Sequence, residues 1–334
     1  MPPYFDLRDI AQFTQKPGMN PIKNIQNNLN DWGYKRKIQS LSNDKKIILS
    51  STPRGGSTWA YEILLGKTGI GVWEPLHPVW LERFAEQKNG HHDLFAPKEM
   101  EIPNLQAYLD RVIHKGILHK ENRFHQVRDH SLTHIRSSTH VVYKFCRLGP
   151  LLPWFLHRFP LRVWHIIRDP FSVVSSQLRH PAWSFVFSQK SYRKNHNSYN
   201  PPFYERYHSI TDKLVYPEEF LTAKWCLDLI PLLSLDKTPN LYISDYESLV
   251  KDGEKNFLSA YNFFKLQYDN DLPQSISKPS MTTLRGSNVL KGKNPALSYK
   301  NHLSSNQISR IQGVLESFNL DQWKNKFINK NPHL

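Results

Sequence analysis

The sequence predicts an α/β protein, an open, mostly parallel sheet with helices on both faces and inserts over the sheet's carboxyl edge. Three observations predict it. Short apolar runs at 46–51, 140–145, 161–167 and 240–244 alternate with helical stretches, the rhythm of parallel strands joined by crossover helices. Two of these runs end in a turn that carries an arginine and then opens a helix, an arrangement found where open α/β sheets bind ligands. Hydrophobic residues at 39% and charged residues at 22% are those of an ordinary globular protein.

Residues 1–43 are polar, with Pro2, Pro3, Pro17 and Pro21 as breakers, and read as an extension wrapped around the core. Lys46-Ile47-Ile48-Leu49-Ser50-Ser51 is a buried strand that runs into the glycine turn Thr52-Pro53-Arg54-Gly55-Gly56. The stretch from Ser57 to Leu65 is a helix opened by good N-cap types. Further helices are expected at 148–157, 170–178, 217–234, 246–264 and 305–318. Pro217-Glu218-Glu219 is a sound start for one of them, because proline suits the first helical position and acids suit the dipole. Segments 76–139 and 180–216, rich in His, Pro and aromatics, break the rhythm and read as inserts on the ligand side. The whole chain, 1–334, reads as one domain without internal repeats.

A net charge of +15 and a pI near 9.6 favour anionic ligands such as nucleotides, nucleic acid or acidic polysaccharide. A basic surface without a dedicated partner has the same composition. No run approaches the roughly 18 apolar residues of a membrane span. The stretch from Met1 to Lys16 lacks a signal peptide's apolar core, so a cytoplasmic location is expected. Cys146 and Cys226 lie in apolar segments and read as buried, reduced thiols. None of the 16 histidines has a metal-binding spacing, and no metal is expected.

The strongest local signal is Ser51-Thr52-Pro53-Arg54-Gly55-Gly56-Ser57-Thr58-Trp59. Glycines let the backbone approach a phosphate, and the following helix offers free N–H groups and a positive dipole end. Arg54 adds a cation, and Ser57 and Thr58 add hydroxyl donors. The lysine and spacing of the triphosphatase loop G-x-x-x-x-G-K-[ST] are missing, as is an acidic strand end for magnesium. A second strand–arginine–helix unit is His165-Ile166-Ile167-Arg168-Asp169-Pro170, continuing to Ser175-Ser176. A guanidinium forks well onto a phosphate, while Asp169-Pro170 alone is an ordinary helix start.

Together these segments resemble the two signatures of the sulfotransferases that use 3′-phosphoadenosine-5′-phosphosulfate (PAPS) and release the 3′,5′-bisphosphate (PAP). The first is similar to the family's 5′-phosphosulfate loop, T-Y-P-K-S-G-T-T-W or P-R-S-G-[ST]-T. Its arginine form is closer to the tyrosylprotein and bacterial carbohydrate branches. The second is similar to the 3′-phosphate motif R-[DN]-P-x-x-x-x-x-S. The resemblance implies the family's P-loop-like fold, with Arg54, Gly55, Gly56, Ser57, Thr58 and Trp59 around the 5′ end. It implies Arg168 and Ser176 at the 3′-phosphate, with Ser175 as the register alternative. Trp59 matches the aromatic that stacks on adenine, although a core tryptophan fits the helix equally well. Tyr246-Glu247-Ser248-Leu249 resembles Y-E-D-L, whose tyrosine contacts adenine. Arg285-Gly286 resembles the basic loop that closes on the 3′-phosphate, with Lys291-Gly292-Lys293 as a rival. Tyr299-Lys300-Asn301-His302-Leu303-Ser304 resembles W-K-N-x-[FL]-[ST].

Cytosolic members carry their base in a K-x-H segment, but here Lys144-Phe145-Cys146 puts cysteine at the histidine position. Lys144 is retained, and the resemblance implies a place for it at the sulfuryl oxygens. The Arg-loop branches imply Glu74 as base, in Gly71-Val72-Trp73-Glu74-Pro75, with its pKa lowered by Arg54. His77 is the runner-up, and Glu74 as a plain loop carboxylate is the bland reading. The implied reaction is in-line sulfuryl transfer to a hydroxyl, ahead of an amine, on an acceptor expected to be a carbohydrate. Two rivals remain. One is a metal-dependent nucleotide or sugar kinase, which the missing lysine disfavours. The other is a non-catalytic polyanion-binding protein using Trp183, Phe185, Phe187, Tyr192 and Tyr199, while Lys190 to Lys194 reads either as a basic rim for an anionic acceptor or as a solvated loop.

Overall fold

The computed structural model describes residues 21–77, 98–118, 122, 130–187, 203, 205–235, 238–267, 272–280 and 298–328. Arg285-Gly286, Lys291-Gly292-Lys293, Lys190 to Lys194, Tyr192 and Tyr199 lie outside these residues.

The core is a five-stranded sheet in the order β2-β3-β1-β4-β5. Its strands are β1 (Lys46–Ser51), β2 (Gly69–Trp73), β3 (His140–Phe145), β4 (Val163–Ile167) and β5 (Leu241–Asp245). All four pairings are parallel, with Ile48 opposite Tyr143 on one side and Val163 on the other. Strands buried on both faces read as continuous apolar runs, as these do. Ile48, Ile70, Val72, Val141 and Tyr143 feed the larger core. Ile47, Leu49, Val142, Trp164 and Tyr242 feed the core on the opposite face.

The sequence reading misses β2, because Gly69 and Gly71 resemble a turn. The glycines answer to packing instead. A Cβ on Gly71 would lie 1.7 Å from the Tyr61 hydroxyl, so only glycine lets the helix after β1 press on this strand.

Two polar segments are more integral than the sequence suggests. Helix α1 (Pro21–Ser40) buries Tyr34 and Ile38 in the larger core, and Lys37 Nζ donates to Ser138 O at 2.8 Å. The segment 76–139 is the crossover from β2 to β3. Its helix following α2 (Ser57–Leu65) is α3 (Pro103–Ile113), which buries Leu105, Leu109, Val112 and Ile113 against the sheet. Tyr143 Oη donates to Ile113 O at 3.0 Å, fixing α3 over β3.

Further helices among the described residues, besides the single turn His208–Thr211, are α4 (Leu132–Ser137), α5 (Leu152–Arg158), α6 (Pro170–Leu178) and α7 (Pro217–Leu229). They are followed by α8 (Tyr246–Lys251), α9 (Gly253–Phe264), α10 (Leu272–Ser277), α11 (Ser305–Ser317) and α12 (Trp323–Phe327). The single helix expected at 246–264 is broken at Asp252, whose φ of −124° and ψ of 50° are not helical. The Asn256 side-chain amide spans the break, donating to Ser248 O and Asp252 O. Among the described residues no helix is long and apolar enough to cross a membrane.

Candidate active site

Parallel strands bring their carboxyl ends to one edge, and each end here carries a residue singled out above. Arg54 follows β1, Glu74 follows β2, Cys146 follows β3, Arg168 follows β4 and Tyr246 follows β5.

The loop after β1 is a tight turn closed by Gly55 N–H donating to Thr52 O at 2.9 Å. Arg54 sits at φ 69° and Gly56 at φ 94°, both left-handed. Such a backbone is strained for arginine and concentrates at functional sites. At Gly56 a Cβ would lie 2.3 Å from the Tyr246 ring, so glycine is required twice over. Helix α2 has Gly56 as its N-cap, not a serine or threonine, and no side chain caps it. Its first amides and dipole therefore face the loop. By contrast, α6 is capped by Asp169, which accepts from Ser172 N–H at 2.8 Å.

Side chains lace the loops together. Arg54 Nε donates to Ser176 Oγ at 3.0 Å, and Arg168 Nη1 donates to Arg54 O at 3.1 Å. Ser175 Oγ is buried and makes neither contact, so Ser176 is the serine that meets the loop. Gln177, unremarked in the sequence, supports the loop by donating from Nε2 to Pro53 O at 3.0 Å. The Arg168 guanidinium lies 4.6 Å from the Tyr246 ring centroid. Trp59 is half-buried, edge-on to Tyr246 and Phe257, with Nε1 donating to Ile276 O at 3.2 Å.

Beside this loop lies a buried polar cluster. Glu74, at φ 46°, is 6% exposed and Lys144 is 2% exposed. Lys144 Nζ forms an ion pair with Glu74 Oε1, and Cys146 N–H donates to Glu74 Oε2 at 2.8 Å. Lys144 Nζ also lies 3.2 Å from Cys146 Sγ and 4.0 Å from the Trp73 ring centroid. Cys146 Sγ is 3.5 Å from Ser57 Oγ, which ties the cluster to the start of α2. Burial opposes ionisation of Glu74. Lys144, Arg147 and the hydrogen bonds from Cys146 and Lys144 outweigh it and hold the carboxyl at about 2. The cation responsible is Lys144, where the sequence pointed to Arg54. Burial and the neighbouring Glu74 push the Cys146 thiol up, so it stays protonated. His77 is half-buried, its N–H donating to Glu74 O at 3.0 Å in the turn after β2. Cys146 and Cys226 are free buried thiols, as expected. Among the described residues no group of three His, Cys, Asp or Glu is placed to hold a metal ion.

A sulfotransferase domain model matches residues 44–329, which covers all five strand ends. The chain belongs to the sulfotransferase family. It is a transferase that takes PAPS as donor cosubstrate, and the matched stretch includes both arginine loops. Among curated proteins no relative matches. Solved structures with a similar arrangement include the sulfotransferase domain from the curacin biosynthetic pathway. It is 19% identical, covers 82% of this chain and 96% of that one, and has a TM-score of 0.43. The sulfotransferase domain of the Synechococcus PCC 7002 olefin synthase is 17% identical, with 84% and 96% covered and a TM-score of 0.42. Mouse sulfotransferase SULT7A1, solved with PAP, is 11% identical, with 88% and 93% covered and a TM-score of 0.41. At these values the family assignment rests on the domain match.

Proposed function

We propose that the chain transfers the sulfuryl group of PAPS to a hydroxyl by single in-line displacement, with Glu74 as base. The supporting observation is the buried Glu74–Lys144 pair, tied through Cys146 to Ser57 where the phosphate loop enters α2. The acceptor oxygen forms a bond to sulfur while the bond from sulfur to the 5′-phosphate oxygen breaks. The proton passes to Glu74, and PAP leaves with the extra negative charge. Arg54 and the uncapped amides of α2 stabilise that charge as it develops. Arg168 and Ser176 hold the 3′-phosphate, and Tyr246 supports both Gly56 and Arg168.

A carboxyl held at about 2 is a poor base while Lys144 is paired with it. The pair itself supplies the remedy. Donor oxygens compete for Lys144 Nζ, and each departure of Lys144 from Oε1 raises the proton affinity of Glu74. The base is thus strengthened when donor is present, and futile protonation is avoided when it is not.

The acceptor in this reading is a carbohydrate or similar large polar hydroxyl compound. The net charge of +15 and the aromatic, histidine-rich segments 76–139 and 180–216 support it. Steady-state kinetics of Glu74→Gln and His77→Ala test the base. Glu74→Gln should lower kcat about a hundredfold or more with PAP affinity retained. Near-full turnover of Glu74→Gln together with loss in His77→Ala would move the role to His77.

A further inference from the structure

Arg54 and Arg168 do not exhaust the positive charge at this edge. Helix α6 runs past Ser176 into Arg179 and His180. Arg179 Nε donates to Ser175 O at 3.1 Å, and its Nη1 lies 3.3 Å from His302 Nε2. The guanidinium is thereby strung between the last turn of α6 and the segment that precedes α11. That segment is itself docked on α6, with the Tyr299 and Phe171 rings stacked at 5.3 Å. From Arg179 the contacts run back without a break. Ser175 adjoins Ser176, Ser176 Oγ accepts from Arg54 Nε, and Arg54 O accepts from Arg168 Nη1.

Three guanidiniums therefore share one strip, and they feel one another. Burial and then Arg168 lower the pKa of both Arg54 and Arg179, and Arg179 lowers that of Arg54 further. Among the described residues none of the three forms an ion pair with a carboxylate. Asp169 and Glu247 lie within electrostatic reach of Arg168, but no carboxylate of the described residues acts on Arg54 or Arg179. Like charges held together in this way are unfavourable until an anion arrives. The donor has two anionic ends, and these are met by the loop with Arg54 and by Arg168. Arg179 remains. It is the exposed end of the strip, and beside it His180 meets Trp183 edge-on at 5.3 Å.

We propose that Arg179 is a specificity-determining residue that binds an oxyanion carried by the acceptor, so that the preferred acceptor is an acidic hydroxyl compound. The carboxylate or sulfate of such an acceptor docks on Arg179 with Trp183 alongside, while a nearby hydroxyl reaches the donor's sulfur. This inference rests on the reading that Arg54 and Arg168 hold the donor.

Calorimetric titration of the full chain tests it. PAP is titrated first, and the PAP-loaded protein is then titrated with a chondroitin sulfate tetrasaccharide and with the uncharged chitin tetrasaccharide. The acidic probe should bind saturably and the neutral one much more weakly. Arg179→Gln should weaken the acidic probe about tenfold to a hundredfold, the size of one charge-assisted contact, with PAP affinity within about twofold of the parent. Arg179→Lys should recover part of the loss. Equal binding of the two probes, or binding of the acidic one unchanged by Arg179→Gln, overturns the proposal. Loss of PAP affinity in Arg179→Gln also overturns it, by assigning the residue to the donor's phosphate. Failure of the parent protein to bind PAP at all would count against the donor reading instead.

Discussion

Replacing Lys144 by methionine removes half of the buried pair on which the proposed base depends. Lys144 and Glu74 are 2% and 6% exposed, so little solvent screens them. The Glu74 carboxyl stands at about 2 against an ordinary 4.5. At about 1.4 kcal/mol per tenfold change in proton affinity, its surroundings favour the ionised form by about 3 kcal/mol. Removing one partner of a buried pair strands the other charge and costs about 3–5 kcal/mol. Lys144→Met and Glu74→Gln should therefore each lose about that much in urea unfolding at neutral pH. The double variant strands no charge, so its loss should fall short of the sum by about 3 kcal/mol. The pH dependence adds a sign. In the parent, Glu74 contributes stability that is present above about 4.5 and lost as pH falls toward 2. In Lys144→Met only Arg147 and the hydrogen bond from Cys146 oppose burial, so the carboxyl rises from about 2 and this acid-sensitive contribution shrinks. Losses that add within about 0.5 kcal/mol would show that the two groups do not interact, and would refute the argument.

Two further outcomes are expected. PAP at about a hundredfold excess over its Kd should stabilise the fold by about 3 kcal/mol, far more than 5′-AMP or ATP with magnesium, and Arg168→Ala should erase the difference from 5′-AMP in thermal unfolding. Glu247, which accepts from Asp169 N–H, has its carboxyl pushed to about 7, first by burial and then by Asp169. Its ionisation weakens the fold, so the favourable contribution is full below about 4.5 and lost as pH rises through 7. Glu247→Gln should gain on the order of 2 kcal/mol relative to the parent at pH 8 and little at pH 5, read by denaturant unfolding.

The parts of the fold legible in the sequence are those whose signal is local. Apolar runs flanked by turns mark β1, β3, β4 and β5, because strands buried on both faces need no alternation. Arg54, Arg168 and Tyr246 are legible for the same reason, each standing just after a strand the sequence marks, whereas Glu74 follows the unmarked β2 and is reached only through the family resemblance. Features set by distant partners are not. Gly69 and Gly71 obscure β2, and their reason is Tyr61 on α2 and His140 on β3. The polar stretch 21–40 conceals Tyr34 and Ile38, two buried residues among many solvated ones. The Ser57–Cys146 contact and the Arg179–His302 contact join residues 89 and 123 positions apart. No local pattern announces either. The lowering of the Glu74 pKa was expected, but its cause was not, since only strand register places Trp73 and hence Glu74 beside Lys144.

The most direct test of the account is transfer of sulfur label from PAPS by the purified chain to a panel of carbohydrate and phenolic hydroxyl acceptors. The account predicts one PAP released per sulfated product, with the rate falling about a hundredfold or more in Arg54→Ala as leaving-group stabilisation is lost. Sulfation that proceeds at the parental rate in Arg54→Ala, or PAPS left intact by a protein that binds PAP, would contradict it.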